Sequence, residues 1–108
     1  MSKKITERRK VKAKSIKVER KTYLLRLYVS GKLPNSARAI INIKAICEKY
    51  LKNRFELEII DIYQHPALAS TDEIVAVPLL IKKFPLPEER MVGDLSNTEE
   101  VLKRLGLV

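Results

Sequence analysis

The chain has 108 residues, 45% of them apolar, and a formal net charge of +9. That size suits one small domain with its own core, and no apolar run reaches the ~18 residues that mark a bilayer span. A single cysteine excludes an intrachain disulfide framework; with no apolar leader ahead of it, the chain is expected in the cytoplasm.

The charge is unevenly placed. Residues 1–22 hold ten Lys/Arg and only Glu7 and Glu19 as acids, a balance of +8; residues 23–108 are close to neutral at +1. We therefore divide the chain into a basic N-terminal arm, residues 1–20, and a domain, residues 21–108. The arm reads first as a solvated tail. It is also suited to nucleic acid, an anionic membrane surface or an acidic protein face. It lacks the aromatic side chains that stack on single-stranded bases.

Along the domain, Thr22–Ser30 alternates with Tyr23, Leu25, Leu27 and Val29 on one face and a half-apolar second face. That pattern predicts a central strand covered on both sides. Gly31–Ser36 reads as a turn, in which Pro34-Asn35-Ser36 supplies a helix start. Ala37–Leu51 has helical period, with Ile40, Ile43, Cys47 and Tyr50 as its apolar stripe. Phe55–Tyr63 is a second strand, and the resulting βαβ unit predicts a parallel pair.

Pro66–Ile74 fits either a short helix from Pro66 or a capping box at Ser70–Glu73. Val77–Phe84 is a third strand. Pro85-Leu86-Pro87 forces a turn, since proline cannot donate to a ladder. Glu89–Val92 reads as a short return strand. Ser96-Asn97-Thr98-Glu99 has capping-box spacing ahead of a last helix with Val101, Leu102 and Leu105 inward.

Few residues carry chemistry. His65 has no second ligand near it and reads as a loop residue, so no metal site is expected. Glu56 and Glu58 share a strand face as ordinary exposed acids. Asp61 ends a strand and is expected to cap a neighbouring loop. The three glycines are too scattered for a phosphate loop, and no cofactor is expected. Cys47 lies on an apolar helix stripe and reads as packing. Val77-Pro78 opens a strand; trans is the default for such a bond, with cis the alternative.

A strand–turn–helix–strand unit followed by a proline-led strand resembles the thioredoxin-like skeleton, but the turn lacks the Cys-x-x-Cys that a helix N-terminus would activate. More specific stretches are Lys21-Thr22-Tyr23, Leu27–Gly31, Pro34–Ala39, Ile60-Asp61-Ile62, Ala76–Leu80, Pro85-Leu86-Pro87 and Arg90–Asn97. In order and spacing they resemble the KaiB family. The resemblance implies a thioredoxin-superfamily α/β domain with a central four-stranded sheet flanked by helices. It implies a C-terminal half able to change fold, with Pro78 as the candidate pivot. It further implies a non-catalytic partner of a KaiC-like hexameric ATPase that forms dimers or tetramers. The matching partner-binding positions are Lys21, Arg38, Lys82 and Arg90. Glu73, Glu89, Arg104 and Gly106 depart from the family pattern. Two other readings compete: a thiol-dependent redox protein working through Cys47, and an anionic-polymer binder working through the arm.

Overall fold

The computed structural model describes residues 22–108. The predicted arm and Lys21 lie outside the described residues. Strand β1, Tyr23–Val29, organises the domain. Tyr23, Leu25, Leu27 and Val29 are buried on one face, while the other face carries exposed Leu24, half-buried Arg26 and buried Tyr28. β1 lies inside a four-stranded sheet of order β2-β1-β3-β4, the central position that its two-sided pattern predicts.

Helix α1, Pro34–Tyr50, starts at Pro34, whose fixed φ and missing N–H suit a first helical position. Its N-cap is Leu33, which supplies no side-chain cap. The Ser36 hydroxyl instead accepts a hydrogen bond from the Ser30 N–H at 3.0 Å, closing the turn. The buried stripe is Ala39, Ile43, Ile46 and Cys47. It is rotated slightly from the predicted one, leaving Tyr50 exposed.

β2, Phe55–Asp61, pairs with β1 in parallel, from Tyr23 opposite Phe55 to Val29 opposite Asp61. The ambiguous segment resolves as a short helix, α2, Pro66–Thr71, ending at Asp72. The Ser70–Glu73 capping pattern therefore lies at a helix end rather than a start. β3, Leu79–Phe84, begins two residues later than predicted and runs antiparallel to β1; β4, Glu89–Val92, runs antiparallel to β3. The bonds preceding Pro78, Pro85 and Pro87 are all cis.

Helix α3, Thr98–Leu105, is capped one residue later than predicted. Asn97 Oδ1, not Ser96, accepts from the backbone, at 3.1 Å from Glu100 N. Amide side chains cap as well as hydroxyls do, so either residue fits the local chemistry. Gly106 ends the helix at φ 78, a left-handed turn that costs glycine little.

The sheet has a core on each face. Leu25, Leu27, Ile43, Leu80, Met91 and Leu105 pack under α1 and α3. Tyr28, Ile60, Leu79 and Ile81 pack beneath α2 and the segment after it. Because α2 has only six residues, cover on that second face centres on this cluster, and Leu24 stays exposed.

Candidate functional site

The turn that would carry redox chemistry holds Lys32, Leu33 and Pro34 and no sulfur. Cys47 is fully buried, and burial pushes its thiol up to about 12. A thiol in that state is a poor nucleophile at neutral pH, which removes the support for a redox role. Native-state labelling of Cys47 is expected to be slow until the protein unfolds, and Cys47→Ala to cost only about 1–2 kcal/mol as a small cavity. Thiol titration with and without denaturant checks this.

Asp61 takes the role read from its position. Its carboxylate accepts from Tyr63 N at 2.8 Å and Gly31 N at 3.1 Å, and the Tyr63 amide leads in holding it below its ordinary value. His65 is exposed at the start of α2. Among the described residues, no group of His, Cys, Asp and Glu could hold a metal ion, and no helix is long and apolar enough to cross a membrane.

The densest polar site lies around Asp72, only 7% exposed. Arg26 Nη1 donates to its carboxylate at 2.9 Å, Tyr28 Oη at 2.6 Å and Lys83 Nζ at 2.8 Å. The Asp72 carbonyl accepts from Arg90 Nη2 at 2.6 Å. Arg26 also reaches Glu58 at 2.9 Å. Burial alone would raise the Asp72 carboxyl, but hydrogen bonds from Lys83, Tyr28 and Arg26 hold it well below the usual carboxylate range. The same burial, with Asp72 alongside, raises the Tyr28 phenol. β1, β3 and β4 thus each grip the end of α2.

A second site follows the β4 edge. A groove of about 450 Å³ runs between β4 and α3, with Arg90 and Arg104 in its lining. Arg104 Nη1 donates to the Arg90 carbonyl at 3.1 Å, and its Nε pairs with Glu100 at 3.0 Å, tying α3 to β4. Asp94, also in the lining, pairs with Arg38 at 3.4 Å. Ser96 and then Arg38 keep the Asp94 carboxyl below its ordinary value. Arg38 also donates to Asn35.

The predicted binding residues therefore fall in different places. Arg38 and Arg90 are both exposed and approach the groove from α1 and β4. Lys82 is not a surface charge: it is 4% exposed, on the sheet face shared with Leu80, and forms no ion pair among the described residues. Sequence reasoning missed Asp72 and Lys83. A charged residue on an otherwise apolar strand, as Arg26 and Lys83 are, was the available signal.

A family model described as the KaiB domain matches residues 26–107. The chain belongs to the KaiB family. It is 48% identical over 89 residues to the circadian clock oscillator protein KaiB of Thermostichus vulcanus, covering 82% of each chain. It is 47% identical over 91 residues to that of Prochlorococcus marinus subsp. pastoris, covering 84% of this chain and 85% of the relative. Among solved structures, the N-terminal domain of Synechococcus elongatus SasA superposes with TM-score 0.64 at 23% identity, covering 82% and 87% of the two chains. The thioredoxin Deadhead of Drosophila melanogaster superposes with TM-score 0.65 at 12% identity, covering 88% and 90%. At these identities the structures establish the fold alone. This KaiB-family chain has the thioredoxin-like arrangement, of the two folds that the resemblance implies.

Proposed function

We propose that this chain is a non-catalytic regulatory protein that binds a KaiC-like hexameric ATPase through basic side chains, Arg38 and Arg90, at the β4–α3 edge, in clock or stress-adaptation signalling. The observation that carries this reading is the pairing of a family match over residues 26–107 with exposed Arg38 and Arg90 beside one groove. The Arg38–Asp94 pair is exposed and 3.4 Å apart, worth about 0–1 kcal/mol. An acidic partner can therefore take Arg38 at little cost. Basic side chains so placed chiefly orient and speed association with an acidic face. Lys21 belongs to the same proposal. Lys82 enters it only in a packing that uncovers its strand.

The reading includes self-association as a dimer or tetramer and a second packing of residues 66–108 pivoting near Pro78. Two packings of one sequence can differ by a few kcal/mol. The Asp72 and Arg104 contacts belong to the packing described above, so weakening them favours any alternative. A pull-down with the KaiC-like ATPase of the same organism, in its ATP- and ADP-bound states, tests the proposal. Retention in at least one nucleotide state is expected; none in any state rules out direct partnership.

A further inference from the structure

We propose that Glu89 is a two-position latch for α3: it holds Arg104 while the helix is docked and takes Lys82 when the helix lifts. Among the described residues, Lys82 is buried to 4% exposure with neither a hydrogen bond nor an ion pair for its ammonium. Its place follows from the strand registers. It lies opposite Leu25 of β1 and Glu89 of β4, on the sheet face that carries Leu80 and Met91. α3 crosses that face. On the β1 side, the Leu105 carbonyl accepts the Tyr23 hydroxyl at 2.9 Å. On the β4 side, Arg104 donates to the Arg90 carbonyl at 3.1 Å and pairs with Glu89 at 3.7 Å. The last turn of the helix therefore bridges β1 and β4 over β3, with Lys82 beneath it.

An ammonium taken out of water without a partner opposes the packing that buries it. Side chains directly opposite in a ladder lie about 5 Å apart at Cβ, so Glu89 is within reach of Lys82. In the docked state Glu89 is turned to Arg104 instead. Two cations thus compete for one carboxylate, and each wins in a different state. Arg104 holds it while Leu102 and Leu105 are in the core, and Lys82 once their departure uncovers the strand. Arg104 keeps Glu100, 3.0 Å away on its own helix, in either state. Lifting therefore leaves no cation without a counter-charge. Glu89 and Arg104 both depart from the KaiB-family pattern, so the latch belongs to this chain rather than to the family. On the function proposed above, lifting α3 also opens the groove beside Arg90 and adds Lys82 to the cations that face the ATPase.

Amide hydrogen exchange on the free full chain tests the latch without any partner, so its failure is distinct from failure of ATPase binding. The Leu102 and Leu105 amides of α3 are expected to exchange faster than Leu27 of β1, through local opening. Lys82→Met keeps the side-chain length and removes the charge; it should slow α3 exchange about 10-fold or more. Glu89→Gln alone should change α3 exchange less than about 2-fold, because docked and lifted states each lose one exposed pair. Beside Lys82→Met it should speed α3 exchange about 3-fold, because only the docked state then loses a pair. Faster or unchanged α3 exchange in Lys82→Met overturns the proposal. So does an equal response to Glu89→Gln in the two backgrounds, or α3 exchange at the Leu27 rate in every protein.

Discussion

Asp72→Asn is expected to lower the unfolding free energy by about 2–4 kcal/mol, the range for breaking a buried charge cluster whose other members keep some contact with water. The native carboxylate matches two cations, Arg26 and Lys83, and accepts the Tyr28 hydroxyl. An amide of the same shape keeps an acceptor but leaves Lys83 without a counter-charge and Arg26 with only the exposed Glu58. It also turns an N–H₂ group toward donors. Urea denaturation of the two proteins at neutral pH measures the difference.

The same site predicts a pH signature. The folded Asp72 carboxyl lies below its unfolded value, which is about 3.9. Its stabilisation is complete above that unfolded value and is lost as pH falls through it toward the folded value. Wild-type stability should therefore drop below about pH 4. The Asp72→Asn protein should show a shallower decline over that window, because it has no carboxylate there to protonate. Parallel slopes in the two proteins would place the acid sensitivity elsewhere. On the proposed reading, Asp72→Asn also raises the population of any second packing, visible as extra resonances for residues 66–108.

Arg38→Glu combined with Arg90→Glu is expected to weaken ATPase binding about 100-fold, or ~2.7 kcal/mol. Each reversal removes a favourable charge and sets a like charge against an acidic partner. Arg38 gives up an exposed pair with Asp94 and its bond to Asn35 on the same helix. Arg90 also gives up its bond to the Asp72 carbonyl, so Arg90→Gln is the useful companion: it keeps a donor for that carbonyl without the charge. Binding by Arg90→Gln should fall less than by Arg90→Glu. The wild-type association rate should decline with salt more steeply than that of the doubly reversed protein.

Local patterns made most of the fold legible. Two-sided burial of Tyr23–Val29 announced a central strand, and the proline-punctuated return from Phe84 to Glu89 announced an antiparallel pair. What was not legible depended on tertiary packing. Ser96 and Asn97 both suit a cap, and the chain uses Asn97. Pro66 and Ser70 offered two helix starts; the chain uses Pro66 and spends Asp72 as an anchor instead. Lys82 and Lys83 are adjacent and look alike in sequence. Strand alternation sends one to the α1–α3 side, buried, and the other to Asp72. The β4–α3 edge was half visible, through Arg38 and Arg90. Arg104 was noted as a departure from the family pattern, yet its bonds to Arg90 and Glu100 now tie α3 to β4.

The β4–α3 edge is the proposed site of ATPase recognition. It is tested most directly by equilibrium titration of the full chain against the KaiC-like hexamer in each nucleotide state, beside the Arg38→Glu/Arg90→Glu protein. Saturable binding in at least one state, strongly weakened by the reversal, is the predicted result. Absence of binding in every state, or equal affinity of the two proteins, would contradict it.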